Sequence, residues 1–239
     1  MGGNVALHIP AFFIFVTAMY PFLNIHTHRP DARGGVCPVL CAEPSDFLRG
    51  ADSAALYSVG HHPWRVGSQS RAELATMAQL LLQKQVVAVG EIGLDKVCDA
   101  DFRLQQEFFK FQLRMAACVR KPVVVHCVKA WSELLETLSQ VEDLPPVVIH
   151  GFRGKPQLAE QLLRHGCFLS FGPKFNADTL KSVPLGSLFL ETDDDDADIV
   201  ALYGHTAELL GLGLEQLKQA IAETWQRFFA DSPGAALAR

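Results

Sequence analysis

Residues 123–151 read VVVHCVKAWSELLETLSQVEDLPPVVIHG, and they decide the fold. Two short runs rich in Val and Ile, 123–127 and 147–151, enclose an amphipathic stretch at 130–140. Continuous apolar runs of this length suit strands buried on both faces, as in a parallel sheet, and parallel neighbours need a crossover between them. Working outward, the same kind of run recurs at 22–26, 36–41, 56–60, 86–90, 167–172 and 188–193, which makes eight strands. Helices fit at 70–84, 101–120, 130–140, 155–165, 196–210 and 214–230, and Leu104, Phe108, Phe111 and Met115 give the second an apolar stripe at helical spacing. The connections 28–36, 42–56 and 173–188 are too short for a full crossover helix. The expected fold is therefore a TIM-type (β/α)8 barrel with some crossover helices missing or shortened, an open doubly wound sheet being the lesser alternative.

The 239 residues carry 21 basic and 26 acidic side chains, a formal charge of −5, and 49% are hydrophobic. Such a chain buries a sizeable core and excludes disorder, collagen and coiled coil. The negative balance argues against a broad basic surface for nucleic acid, so any affinity for phosphate has to be local. No linker or repeat divides the sequence, and residues 21–239 read as a single barrel domain. Six cysteines without a C-x-x-C pair read as reduced, which places the chain in the cytoplasm. Ahead of the barrel, residues 1–20 contain the apolar run IPAFFIFVTAM at 9–19, with no Lys or Arg before it and with Pro10 and Pro21 on either side. It is too short to span a membrane and lacks the charged start of a signal peptide. It reads as an extension before a start at Met19, the alternatives being a weak anchor or an extra packed segment; no membrane partner is expected.

The polar residues are informative by position. His26 and His28 stand at the end of the first strand, His62 just past the third, Glu91 at the fourth, His126 at the fifth, His150 at the sixth and Asp193 at the eighth. In a parallel barrel these ends share the face that carries chemistry. Side chains two apart on a strand project to one side, so His26 and His28 can chelate one ion while Thr27 points away. Neutral imidazoles and carboxylates suit divalent transition metals. Four histidines and two carboxylates exceed the needs of one tetrahedral ion, which suggests two ions with Glu91 between them. His8, His165 and His205 lie away from strand ends and read as ordinary histidines.

With these residues in place, the sequence resembles the TatD family of metal-dependent hydrolases. The matching segments are FLNIHTH at 22–28, VGHHPW at 59–64, VAVGEIGLD at 87–95, the pattern Gln105, Phe109, Gln112, then KPVVVHC at 121–127, VVIHGFRG at 147–154, LSFGP at 169–173 and LFLETD at 188–193. The resemblance implies a TIM-type barrel and metal ligation by His26, His28, Glu91, His126, His150 and Asp193. It also implies hydrolysis of phosphodiesters with one or two divalent ions, Zn, Mn, Mg, Ni or Co. Three departures stand out. Val128 and Lys129 follow where the family has an arginine two residues after the fifth-strand histidine, and Gly151 replaces a cysteine. Asp194, Asp195, Asp196 and Asp198 replace a loop that bears proline and arginine.

The expected activity is that of a deoxyribonuclease or phosphodiesterase acting through a metal-activated water, with Asp193 as the base and Glu91 in the catalytic set. His62, Lys129 and Arg153 are candidate phosphate contacts, and Trp64 is a candidate platform for a base. The acidic run at the mouth should disfavour long polyanions, so the expected substrate is a nucleic-acid end or a small phosphodiester, with no stable duplex DNA complex. The rivals are an amide or lactone hydrolase on the same barrel and a weakly catalytic metal-binding barrel.

Overall fold

The structure, a computed structural model, describes residues 11–31, 33–67, 70–230 and 232. Eight strands run in chain order around one parallel sheet: β1 (Phe22–Thr27), β2 (Val36–Ala42), β3 (Leu56–Val59), β4 (Val86–Asp95), β5 (Val123–Val128), β6 (Val147–Ile149), β7 (Phe168–Phe171) and β8 (Leu188–Leu190). Beyond β8 the ring closes onto β1 through a parallel bridge from Thr27 to Asp193. Asp193 N donates to His26 O at 3.1 Å and His28 N to Asp193 O at 3.0 Å. Closure is thus made by the residues that carry the polar side chains. The (β/α)8 barrel expected from the sequence is present, and its core is the Val, Ile, Leu and Phe of the strands packed against the surrounding helices.

The helices are α1 (Ala11–Met19), α2 (Pro44–Gly50), α3 (Ser70–Leu80), α4 (Phe102–Val119), α5 (Trp131–Ser139), α6 (Pro156–Arg164), α7 (Ala177–Ser182), α8 (Ile199–Leu210) and α9 (Leu214–Phe228). Two of the three short connections hold short helices, α2 and α7, and the described residues between β1 and β2 hold none. The apolar run ahead of the barrel is α1, which buries Phe13 and Val16 against α9, with Phe13 stacked on Phe229 at 4.5 Å. Residues 1–10, His8 among them, lie outside the described residues. Among the described residues no helix is long and apolar enough to cross a membrane.

Two expectations need correction. First, β4 does not stop at Gly90 but continues to Asp95, so Glu91 lies inside the strand. Glycine makes this possible, because a Cβ at Gly90 would come within 2.7 Å of Val124 Cβ on β5. The bare backbone brings β4 close to its neighbour and shifts the register between Val89 and Ile92. Second, α4 buries Gln105, Phe108, Phe109, Gln112, Leu113 and Ala116, whereas Phe111 of the predicted stripe is 46% exposed. The helix is rotated because the two glutamines satisfy the backbone of segments leading to the site. Gln105 accepts from Asp95 N at 2.8 Å and donates to Asp95 O at 3.0 Å, and Gln112 accepts from His61 N at 2.7 Å and donates to His61 O at 3.2 Å. Counting only apolar residues misplaces a face whose polar members are fully bonded.

Candidate metal centre

The six residues singled out as ligands converge at the C-terminal end of the barrel. Glu91, 3% exposed, stands at their centre and presents its two oxygens to two separate groups. Oε2 lies 3.4 Å from His26 Nε2 and 3.5 Å from His28 Nε2. Oε1 lies 2.7 Å from His150 Nε2, 2.8 Å from His126 Nδ1 and 3.1 Å from His62 Nε2. Asp193 Oδ1 closes the first group, 3.5 Å from His26 Nε2 and 3.6 Å from His28 Nε2. Asp193 adopts a left-handed backbone, φ 54°, a conformation that aspartate tolerates better than most residues. Donor atoms with separations near 3 Å match ligands at about 2.0–2.2 Å from a shared ion.

Charge and burial favour cations at this place. Burial pushes Glu91 up, but His150, with contacts from His126 and His26, outweighs it and holds the carboxylate well below its ordinary range. Asp193 is likewise lowered to about 2, because His26 and His150 outweigh its burial. Burial and His150 push His26 down, yet Asp193 and Glu91 raise it to about 9; His150 is raised well above its usual value by Glu91 and Glu191 against the effect of burial. The carboxylates thus stay ionised, and positive charge gathers around them. Both ring nitrogens of His26 are buried without a hydrogen-bond partner, Glu91 and Asp193 being in ionic reach but outside hydrogen-bond geometry. A core histidine is normally bonded, whereas a metal ligand in a protein chain shows this orphaned state. The residues therefore fit divalent metal.

Outer contacts orient the rings. His126 Nε2 faces Asp95 Oδ2 at 3.2 Å, and His150 Nδ1 faces Glu191 Oε1 at 3.2 Å, an oxygen that also accepts from Gly151 N at 2.7 Å. Carboxylates behind histidines in this way fix the tautomer and raise the basicity of the inward nitrogen. The sequence reading missed Asp95 and Glu191. The signal was there, since both are acidic residues in otherwise apolar strand-end motifs, GEIGLD and LFLETD. Cys41 and Glu43 were missed as well and line the same cavity.

That cavity is about 310 Å³ and is lined by His28, Cys41, His62, Trp64, Glu91 and Asp193 among others. The candidate substrate contacts are placed unevenly. His62 lies within the histidine cluster, against Glu91. Trp64 stands at the rim, 62% exposed, with its Nε1 donating to Asp95 Oδ2 at 2.5 Å. Lys129 and Arg153 are exposed and do not line the cavity, whereas Arg65 does. Of the acidic run only Asp194 reaches the lining. Asp195 pairs with Lys174 at 3.0 Å, Asp196 with Arg29, and Asp198 with Arg33 at 2.6 Å while also capping α8 through Val200 N. The run is largely neutralised, which weakens the repulsion expected at the mouth.

Comparison with known proteins agrees with this geometry. The chain is 32% identical over 191 residues to the uncharacterised metal-dependent hydrolase YjjV of Escherichia coli, covering 72% of this chain and 73% of that protein. It is 33% identical over 147 residues to the 3'-5' ssDNA/RNA exonuclease TatD of Cronobacter turicensis, covering 57% of this chain and 56% of that one. The crystal structure of the TatD homologue YjjV from Escherichia coli superposes with a TM-score of 0.77 at 25% identity, over 88% of this chain and 98% of that chain. A family profile described as TatD related DNase matches residues 39–230, and the chain belongs to that family.

Proposed function

We propose that this barrel is a dinuclear metal-dependent phosphodiesterase that removes nucleotides from a nucleic-acid end. One observation carries the reading: Glu91 offers each of its oxygens to a different histidine group, Oε2 to His26 and His28, Oε1 to His126 and His150. On that reading His26, His28 and Asp193 would hold a first ion, His126 and His150 a second with His62 beside it, and Glu91 would serve both through its two oxygens. Divalent ions bound there would supply polarisation of a phosphoryl oxygen and a water with a pKa of about 7.

The chain's own residues supply the remaining work. Asp193, ionised and partly open to the cavity, orients the attacking water and accepts its proton at Oδ2, the oxygen not turned to His26 and His28. Asp95 and Glu191 keep His126 and His150 turned inward through turnover. Trp64, held by Asp95, offers a ring on which a terminal base stacks, and Arg65 at the mouth neutralises phosphate. A cavity of about 310 Å³ admits one small group at a time, which suits an end better than internal duplex sites. The Cronobacter relative, named as a 3'-5' ssDNA/RNA exonuclease, supports this substrate class.

The test is a substrate panel run on chelator-stripped and metal-replete protein: end-labelled single-stranded DNA, closed circular duplex, a nitrophenyl phosphodiester, an anilide and a lactone. The reading expects metal-dependent release of nucleotides from one end and turnover of the phosphodiester. Hydrolysis of the anilide or lactone without phosphodiester turnover contradicts it, as does full activity in excess chelator.

A further inference from the structure

Cys41 lies on β2, beside β1, and is set apart from the core cysteines. Cys37 and Cys167 are 5% and 3% exposed and fill apolar space, whereas Cys41 is half-buried and lines the metal cavity. Its Sγ and one donor atom each of His26, His28 and Glu91 all lie within 4.8 Å of one another. The group also contains the orphan of the site, His26, fully buried with neither ring nitrogen bonded. The strand register explains the convergence. Leu40 pairs with Thr27, so the next residue on β2 rises level with the top of β1, where His26 and His28 project.

We propose that Cys41 is a thiolate ligand of the first metal position, sharing it with His26, His28, Asp193 and Glu91, and that it makes this position selective for Zn²⁺ or Co²⁺ over Mg²⁺ and Mn²⁺. This inference rests on the metal centre proposed above and adds to it a soft donor that the histidine and carboxylate set lacks. Thiolate sulfur selects softer ions, whereas imidazole and carboxylate alone accept hard and borderline ions alike. Ligation is balanced by proton release: the S–H bond breaks, a sulfur–metal bond forms, and the proton leaves to solvent. The two positions would then differ in ligand type. The first has sulfur, while the second, around His126 and His150, has nitrogen and oxygen only. The first is expected to retain its ion when the second exchanges.

The test is Co²⁺ titration of the chelator-stripped full chain, followed by absorption spectroscopy. Visible ligand-field bands report loading of the centre, and a near-ultraviolet thiolate-to-cobalt charge-transfer band reports sulfur in the coordination sphere. Wild type is expected to show both. Cys41→Ser and Cys41→Ala are expected to keep the visible bands, lose the charge-transfer band, and lower the preference for Zn²⁺ over Mn²⁺ by about tenfold in competition dialysis. Visible bands without the charge-transfer band in wild type, or a charge-transfer band that survives in both variants, overturns the assignment of Cys41 and leaves the metal centre standing. Failure to take up cobalt at all overturns the metal centre itself and the assignment with it.

Discussion

Glu91 shows what a single side chain does here. It sits 3% exposed in a strand of apolar residues, and an unpaired carboxylate there costs several kcal/mol. Five histidine nitrogens within 3.5 Å of its oxygens offset that cost. Asp193 stands at the edge of the same cluster and is the proposed base. Asp193→Asn is expected to leave the far-ultraviolet circular dichroism unchanged and to lower kcat by about 10²–10⁴-fold, since an amide takes no proton. Wild-type turnover in that variant removes Asp193 from the role. One shell further out, Glu191→Gln weakens the acceptor behind His150, and metal affinity by dialysis is expected to fall about 10–100-fold. Unchanged affinity would mean that Glu191 serves only the Gly151 amide.

At the scale of elements, two contacts hold the barrel's outer parts. Phe13 of α1 is fully buried and stacks on Phe229, and Gln226 Nε2 of α9 donates to Thr17 Oγ1 at 2.7 Å. Phe13→Ala is expected to destabilise by about 3 kcal/mol in urea unfolding without loss of bound metal, because α1 carries no residue of the centre. No change in the unfolding midpoint would show that α1 packs without contributing. Lys121, at the start of β5, donates through Nζ to the carbonyls of Leu81, Gln83 (3.1 Å) and Val86 (2.5 Å), joining the end of α3 and the start of β4 to β5. Burial pushes its pKa down to about 8, below the 10.5 of an unfolded lysine. Between those values the unfolded chain binds more protons, so wild-type stability gains as pH rises from about 8 toward 10. Lys121→Met leaves these carbonyls short of a donor and is expected to cost about 1–3 kcal/mol at pH 7. The gap to wild type then widens with pH; a constant gap contradicts the lowered pKa, and unchanged stability at pH 7 contradicts the donor role.

For the whole molecule, the barrel and the convergence of the polar side chains were legible because both rest on patterns along the chain. Eight apolar runs mark eight strands, and six side chains able to hold a metal lie at or near the C-terminal parts of strands. What the sequence hid depends on contacts across the fold. The face of α4 was misplaced because Gln105 and Gln112 look polar until their backbone partners, Asp95 and His61, are known. The extension of β4 past Gly90 follows from its approach to Val124, which no local pattern reveals. The acidic run after Asp193 reads as a charged mouth, yet Arg29, Arg33 and Lys174 come from distant segments to pair with it. His62 and Trp64 are placed at the cavity, whereas Lys129 and Arg153 are exposed and outside its lining. The central claim, that Glu91 bridges two ions, is tested most directly by titrating stripped protein with Co²⁺, because the first position is proposed to disfavour Mn²⁺, and recording electron paramagnetic resonance. The account predicts two Co²⁺ per chain with an exchange-coupled spectrum that is lost in Glu91→Gln; one Co²⁺ per chain, or two that give only uncoupled signals in wild type, would contradict it.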